Sequence, residues 1–247
     1  DWSRLYSGSE PDFYHAATMP GDGSLIRART DPASYHLYLQ RVSNPGSGSN
    51  FSSWTDMGEV SAVSGIALSS HQNTVQLFYV KINQRTICVR ESTDNGQTFG
   101  TPYEIVTPST VTKWLAVDLN GSGVLLLLYA AGAQVYAIKR TGGTWGAPAA
   151  WTNSVNSVTG LACVHQGDWN AVVSGTDSAN NYKVWTCVYG DGYSQSQDTW
   201  SSLAELTRAS AGSNVEFHCP CVGFPDVFRT FFVEKYTGTQ SYSRPVW

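Results

Sequence analysis

The chain has 247 residues, a net charge of −4 and only 14% charged side chains. That balance, with no Lys/Arg cluster anywhere, excludes the electrostatic footprint of a nucleic-acid binder. A low charge density beside 23 Gly, nine Trp and 13 Tyr suits many short strands joined by tight turns and disfavours long solvated helices.

In chain order, strand-like runs bounded by Gly, Asn, Ser and Asp recur with a common plan. The first unit, residues 12–60, reads FYHAAT, SLIRAR, YHLYLQRV and FSSWTDMGEV. The second, 61–107, reads SGIALS, TVQLFYV, RTICVRE and FGTPYEIV. The third (108–152) reads KWLAVD, GVLLLLYA, QVYAIKR and TGGTWGAPAAW; the fourth (153–207) reads TGLACV, NAVVSG, YKVWTCVY and DTWSSLAEL. Trp54, Phe99, Trp145 and Trp200 open their fourth runs at spacings of 45, 46 and 55 residues. The first two runs of each unit are apolar enough to be buried on both faces. A fifth unit, 208–247, offers VEFHCPCV, VFRTFFVEK and SYSRPVW. Its missing outer strand matches DWSRLY at residues 1–6, where Trp2 stands in the slot of Trp54 and Trp200.

These runs predict an all-β fold: a five-bladed β-propeller of four-stranded antiparallel blades forming one domain. The N-terminal strand joins the last blade and closes the ring, which removes exposed sheet edges. The longest apolar run, residues 123–133, is shorter than the ~20 residues that span a bilayer. A start at Asp1 without Met points to a processed or trimmed N-terminus.

The five cysteines, Cys88, Cys163, Cys187, Cys219 and Cys221, read as buried small hydrophobes, with one disulfide pair left open. Cys219 and Cys221 beside His218 lack a second ligand pair at zinc spacing, so neither metal nor cofactor is expected. Two sequons, at Asn50 and Asn120, permit an extracellular location.

Between the third and fourth runs of the second unit stands Ser92-x-Asp94-x-Gly96-x-Thr98-Phe99. Physically, this pattern makes a turn in which the Asp carboxylate accepts backbone N–H bonds, Gly takes a positive φ and the aromatic packs between sheets. The motif resembles the Asp-box of sialidase-like propellers, the bacterial neuraminidase repeat. Weaker echoes end in Trp145 and Trp200. The resemblance implies a structural role for Ser92, Asp94, Gly96, Thr98 and Phe99, on the face opposite the ligand. It does not imply sialidase activity, because the family's enzymes carry six blades and an arginine triad. No arginine here stands in the family's Arg-Ile-Pro context, and Arg27 is the nearest candidate.

A propeller binds ligands on the face carrying the entries to the first strands and the loops between strands two and three. There the predicted ligand-binding residues are Tyr14, Lys113, Trp114 and Glu216, with Asp12 and Tyr236 on adjoining loops: aromatics to stack a sugar and charges to bond its hydroxyls. The leading expectation is a non-catalytic, lectin-like module that recognises a glycan or glycoprotein surface. One alternative is a glycoside hydrolase using Asp12, Glu216 and either Asp31 or Glu234 as converging carboxylates. The other is a structural or attachment domain of a larger assembly. No G-x-S-x-G elbow accompanies the five histidines, which argues against a serine hydrolase.

Overall fold

The computed structural model describes residues 15–31, 33–43, 45, 53–151, 155–202 and 204–205, and the strands between 215 and 236. For residue 15, residues 60–64 and the strands beyond 205 it describes the backbone alone. All regular structure among the described residues is β, and every pairing is antiparallel.

Four sheets follow one another along the chain. The first orders β1 (His15–Thr18), β2 (Leu25–Thr30), β3 (His36–Val42) and the leading half of β4 (Thr55–His71). β4 then runs on without a turn to become the inner strand of the second sheet. There it pairs with β5 (Thr74–Lys81), followed by β6 (Ile87–Ser92) and β7 (Tyr103–Val106). The third sheet holds β8 (Thr112–Leu119), β9 (Leu125–Ala131) and β10 (Gln134–Thr141), edged by β11 (Thr144–Trp145) and β12 (Ala149–Ala150). The fourth holds β13 (Ser157–Gln166), β14 (Asp168–Thr176), β15 (Tyr182–Tyr189) and β16 (Ala204–Glu205).

Beyond them β17 (Val215–His218) pairs with β20 (Val233–Tyr236), and β18 (Cys221–Phe224) with β19 (Val227–Thr230). His218 faces Val233 and Cys221 faces Thr230. Both pairs therefore keep one register, that of a single long hairpin. Residues 1–6 and 241–247, on which the expected ring closure depends, lie outside the described residues.

The core lies between sheets, because alternate residues of each strand point to opposite faces. Leu77 and Tyr79 on β5 face Ile26, Ala28, Leu37 and Leu39 of the first sheet. Phe78 and Val80, one residue along, face Leu125, Leu127 and Tyr129 of the third. Leu126 and Leu128 in turn meet Trp169, Val173 and Trp185 of the fourth. The second and third sheets are thus buried on both sides, as their continuous apolar runs require. Each opening aromatic packs backward against the preceding sheet: Phe99 into the first core, Trp145 into the second and Trp200 into the third.

Turns take their shape from Asx side chains. Asp31 accepts the Ala33 N–H (2.9 Å), Asn83 those of Arg85 and Thr86 (2.9 and 3.0 Å), and Asp177 those of Ala179 and Asn181 (both 2.9 Å).

Candidate functional site

The box turn is built as its chemistry requires. Asp94 accepts the Ser92 hydroxyl (2.6 Å), the Thr98 hydroxyl (2.6 Å) and the N–H groups of Gln97 (3.0 Å) and Thr98 (2.9 Å). The Ser92 and Thr98 hydroxyls, then the Thr98 N–H, hold its carboxyl well below the usual carboxylate range. Gly96 takes φ 74°, and a Cβ there would lie 2.2 Å from Cδ1 of Ile26. The Asn95 N–H donates to the Asn73 carbonyl (2.8 Å), and the Asn95 carbonyl accepts from Nε of Arg41 (3.1 Å). The turn therefore sits at the end of the second sheet that carries the β4–β5 connection, and ties that sheet to the first.

The opposite end carries Lys113 and Trp114, two of the predicted ligand residues. Thr112 opens β8 by donating its N–H to the Gln84 carbonyl (2.7 Å) and its hydroxyl to that of Arg85 (3.2 Å). This docks the inner strand of the third sheet on the β5–β6 loop. Lys113 is exposed. Trp114 is the extra residue of a β-bulge between Lys113 and Leu115 and is held at φ 55°. Its half-buried ring packs on the core, and its indole N–H donates to the Val158 carbonyl (3.0 Å), at a second bulge between Val158 and Gly160. The bulges align Trp114 with Thr159, one residue before the Gly160 that sequence spacing pairs with it.

Glu216 pairs with Lys235, and Val215 with Tyr236, so positions 216 and 236 lie on adjacent rungs of one hairpin. Asp12 and Tyr14 lie outside the described residues. Asp31 is occupied by its own turn. The Ala33 N–H and then the Ser34 hydroxyl (2.9 Å) hold its carboxyl below the ordinary range.

Other groups were invisible to sequence reasoning. Asp168 accepts four backbone N–H bonds, from Asp191 (2.6 Å), Tyr193 (3.1 Å), Ser194 (2.7 Å) and Gln195 (3.0 Å). Between the third and fourth sheets, Asp191 meets Lys139 (3.3 Å), His165 (3.3 Å) and the Asn120 amide (2.8 Å). Asn120 also caps its own turn through Oδ1, so both the oxygen and the nitrogen of its sequon amide are hydrogen-bonded. Between the second and third sheets a cleft of about 280 Å³ is lined by His71, Thr74, Gln76, Glu91, Leu119 and Arg140, among others. Another, of about 330 Å³, lies between the first and second beside Phe99, Met57 and Arg90. No group of three or more His, Cys, Asp or Glu residues able to hold a metal occurs among the described residues. Cys88 and Cys187 are buried thiols; burial pushes Cys88 up to about 11.

No family model and no curated protein matches this chain. Solved structures do match, and they are β-propellers. A GH43 protein from Bacillus licheniformis, BlXynB, has 12% identity over 95% of this chain, with a TM-score of 0.54; the chain spans 50% of that protein's length. An α-L-arabinanase from Penicillium chrysogenum complexed with arabinobiose has 14% identity over 92% of this chain and 75% of its own, with a TM-score of 0.57. A fucose-specific lectin from Aleuria aurantia has 14% identity over 90% and 70%, with a TM-score of 0.56. At such identities the likeness shows the fold alone: this chain is a β-propeller. The narrower sialidase-like assignment rests on the box motif.

Proposed function

We propose that this chain is a non-catalytic, glycan-binding propeller of five blades, closed by residues 1–6 pairing with the last unit and working at an extracellular or particle surface. The observation that carries the binding site is Trp114. A bulky residue at positive φ costs of order 1–3 kcal/mol and persists where function or packing demands it. This one stands at the entrance to an inner strand beside exposed Lys113. The fold supports the ligand class, since propellers of this kind include a fucose-specific lectin and an arabinanase crystallised with arabinobiose.

The hydrolase reading draws on the same likeness, but it needs a carboxylic acid kept protonated. It needs an ionised carboxylate as well, and the bonds that favour the ionised form of Asp31 suit that role and not the acid's.

A glycan array on the wild type, Lys113→Ala and Trp114→Ala is the test. The wild type should bind at least one glycan, and both variants should bind it tenfold or more weakly. Lys113→Ala, at an exposed position, keeps the test interpretable if Trp114→Ala fails to fold. Absence of binding to every glycan refutes the proposal, and release of reducing sugar from arabinan or xylan would establish the hydrolase instead.

A further inference from the structure

At the box-bearing end, away from Trp114, the cleft between the second and third sheets has a composition that inter-sheet packing does not account for. Glu91 of β6 reaches across to Arg140 of β10. Nη1 of Arg140 donates to Oε1 of Glu91, and Nη2 to Oε2 (3.3 Å). The Gln76 amide donates to the same Oε1 (2.7 Å) and accepts the Ser69 hydroxyl at its other end (3.2 Å). Nε of Arg140 donates to the Gly143 carbonyl (3.3 Å). A guanidinium has five N–H donors, so two remain beyond these three bonds. On the facing wall, His71 and Thr74 make no side-chain hydrogen bond among the described residues. A structural ion pair explains Glu91 and Arg140. His71 and Thr74, half-exposed at the two ends of the β4–β5 turn, line the same cleft with polar atoms that this ion pair does not use.

We infer that this cleft is a second carbohydrate site, taking one neutral monosaccharide unit through a pair of neighbouring hydroxyls. The inference rests on the glycan-binding reading above and adds a place and a ligand class to it. Charge selects neutrality. Glu91 already cancels Arg140, so an anion or a cation would be desolvated with no unmatched partner to meet it. A hydroxyl both donates and accepts. It takes the spare guanidinium N–H groups and gives its own proton to the imidazole or the carboxylate. Leu119, half-buried in the floor, meets the apolar face of a sugar ring. The volume, about 280 Å³, is at the lower limit of ligand pockets, ~300 Å³, and suits one ring better than a chain. Gly123 and Gly143 line the opening, and a Cβ at Gly143 would point into open space.

The experiment is calorimetric and NMR titration of the full chain with glucose, galactose, mannose, fucose, xylose and arabinose, using sialic acid and glucosamine as charged controls. The inference expects a neutral sugar to bind and to perturb the amides of residues 71–74, 123 and 143. It also expects the double variant His71→Ala/Thr74→Val to weaken that binding tenfold or more with an unchanged melting temperature. If the mouth takes the same sugar, two sites per chain fall to one. Wild-type binding in the double variant, with loss in Lys113→Ala, overturns the cleft site and leaves the glycan-binding reading standing. Preference for a charged control overturns it as well. Absence of binding to any sugar removes both.

Discussion

Two aspartates do the same work from different places in the chain. Asp94 satisfies the N–H groups of its own turn, three and four residues on. Asp168 does this for the 191–195 loop from the neighbouring strand of the fourth sheet, 23 to 27 residues away in sequence. Burial would raise the Asp168 carboxyl, but the Asp191 N–H, the Ser194 hydroxyl and N–H and the Gln195 N–H together hold it well below the ordinary range. Asp168→Ala leaves four backbone donors without their acceptor. It should cost about 3 kcal/mol, read from chemical denaturation midpoints. The sign of the pH effect follows from the lowered pKa values. The stability these carboxylates contribute is complete above the unfolded value, about pH 4, and is lost as pH falls through the folded value. A melting-temperature profile should therefore be level down to about pH 4 and decline below it, and Asp168→Asn should flatten the decline. The first aspartate was legible because its partners are local. The second was not, because a lone Asp before Trp169 carries no mark of a loop 23 residues downstream. The same limit applies to the ligand residues. Lys113 and Trp114 could be placed by counting strands, but the bulge that makes Trp114 unusual depends on its partner strand.

Strand existence and order were legible from runs and turn residues, and strand ends were not. The sequence divides residues 55–71 into an outer and an inner strand, yet β4 crosses from one sheet to the next unbroken, since no turn chemistry separates the two halves. The outer runs read too long. FGTPYEIV supplies a strand of only four residues, β7, and the described part of DTWSSLAEL supplies the two of β16 and a single bridge from Trp200 to Tyr189. At a sheet's outer edge little burial repays ordering, and Pro102 and Pro148 bring no N–H to a ladder. The inner strands carry the opposite constraint, close backbone approach. Gly175 of β14 lies against the β13 bulge, where a Cβ would stand 2.0 Å from the Ser157 carbonyl oxygen. Backbone cannot yield as a side-chain tip can, so Gly175→Ala should destabilise by about 3 kcal/mol in urea unfolding. A loss below about 0.5 kcal/mol would show that the bulge relaxes freely.

At the scale of the molecule, three inter-sheet cores share one chemistry, and each receives an aromatic from the sheet that follows it. By that rule Trp54 marks the face of the first sheet that should receive the last unit. That face is unlike the others. Trp54 has the guanidinium carbons of Arg27 and Arg29 at 4.9 and 4.5 Å from its ring centre, and Arg29 also stacks on Tyr38 at 5.6 Å. Ring closure through residues 1–6 predicts that deleting them lowers the melting temperature by ~5 °C or more, the shift expected for about 2 kcal/mol in a chain of this size. An unchanged melting temperature would remove the N-terminal strand from the closure.

The unlike face also bears on how separate molecules meet. Units that stack head to tail through equivalent leucine-rich faces have no internal reason to stop at one chain, and open heterologous contacts of that kind grow into filaments. A face of arginines laid over aromatic rings is chemically unlike the leucine-rich faces, so the first sheet's outer face does not repeat the surface that such growth needs. In the proposed ring, the arrangement of Arg27, Arg29 and Trp54 thus makes the contact at which the circle closes chemically distinct from the leucine-rich contacts between successive sheets.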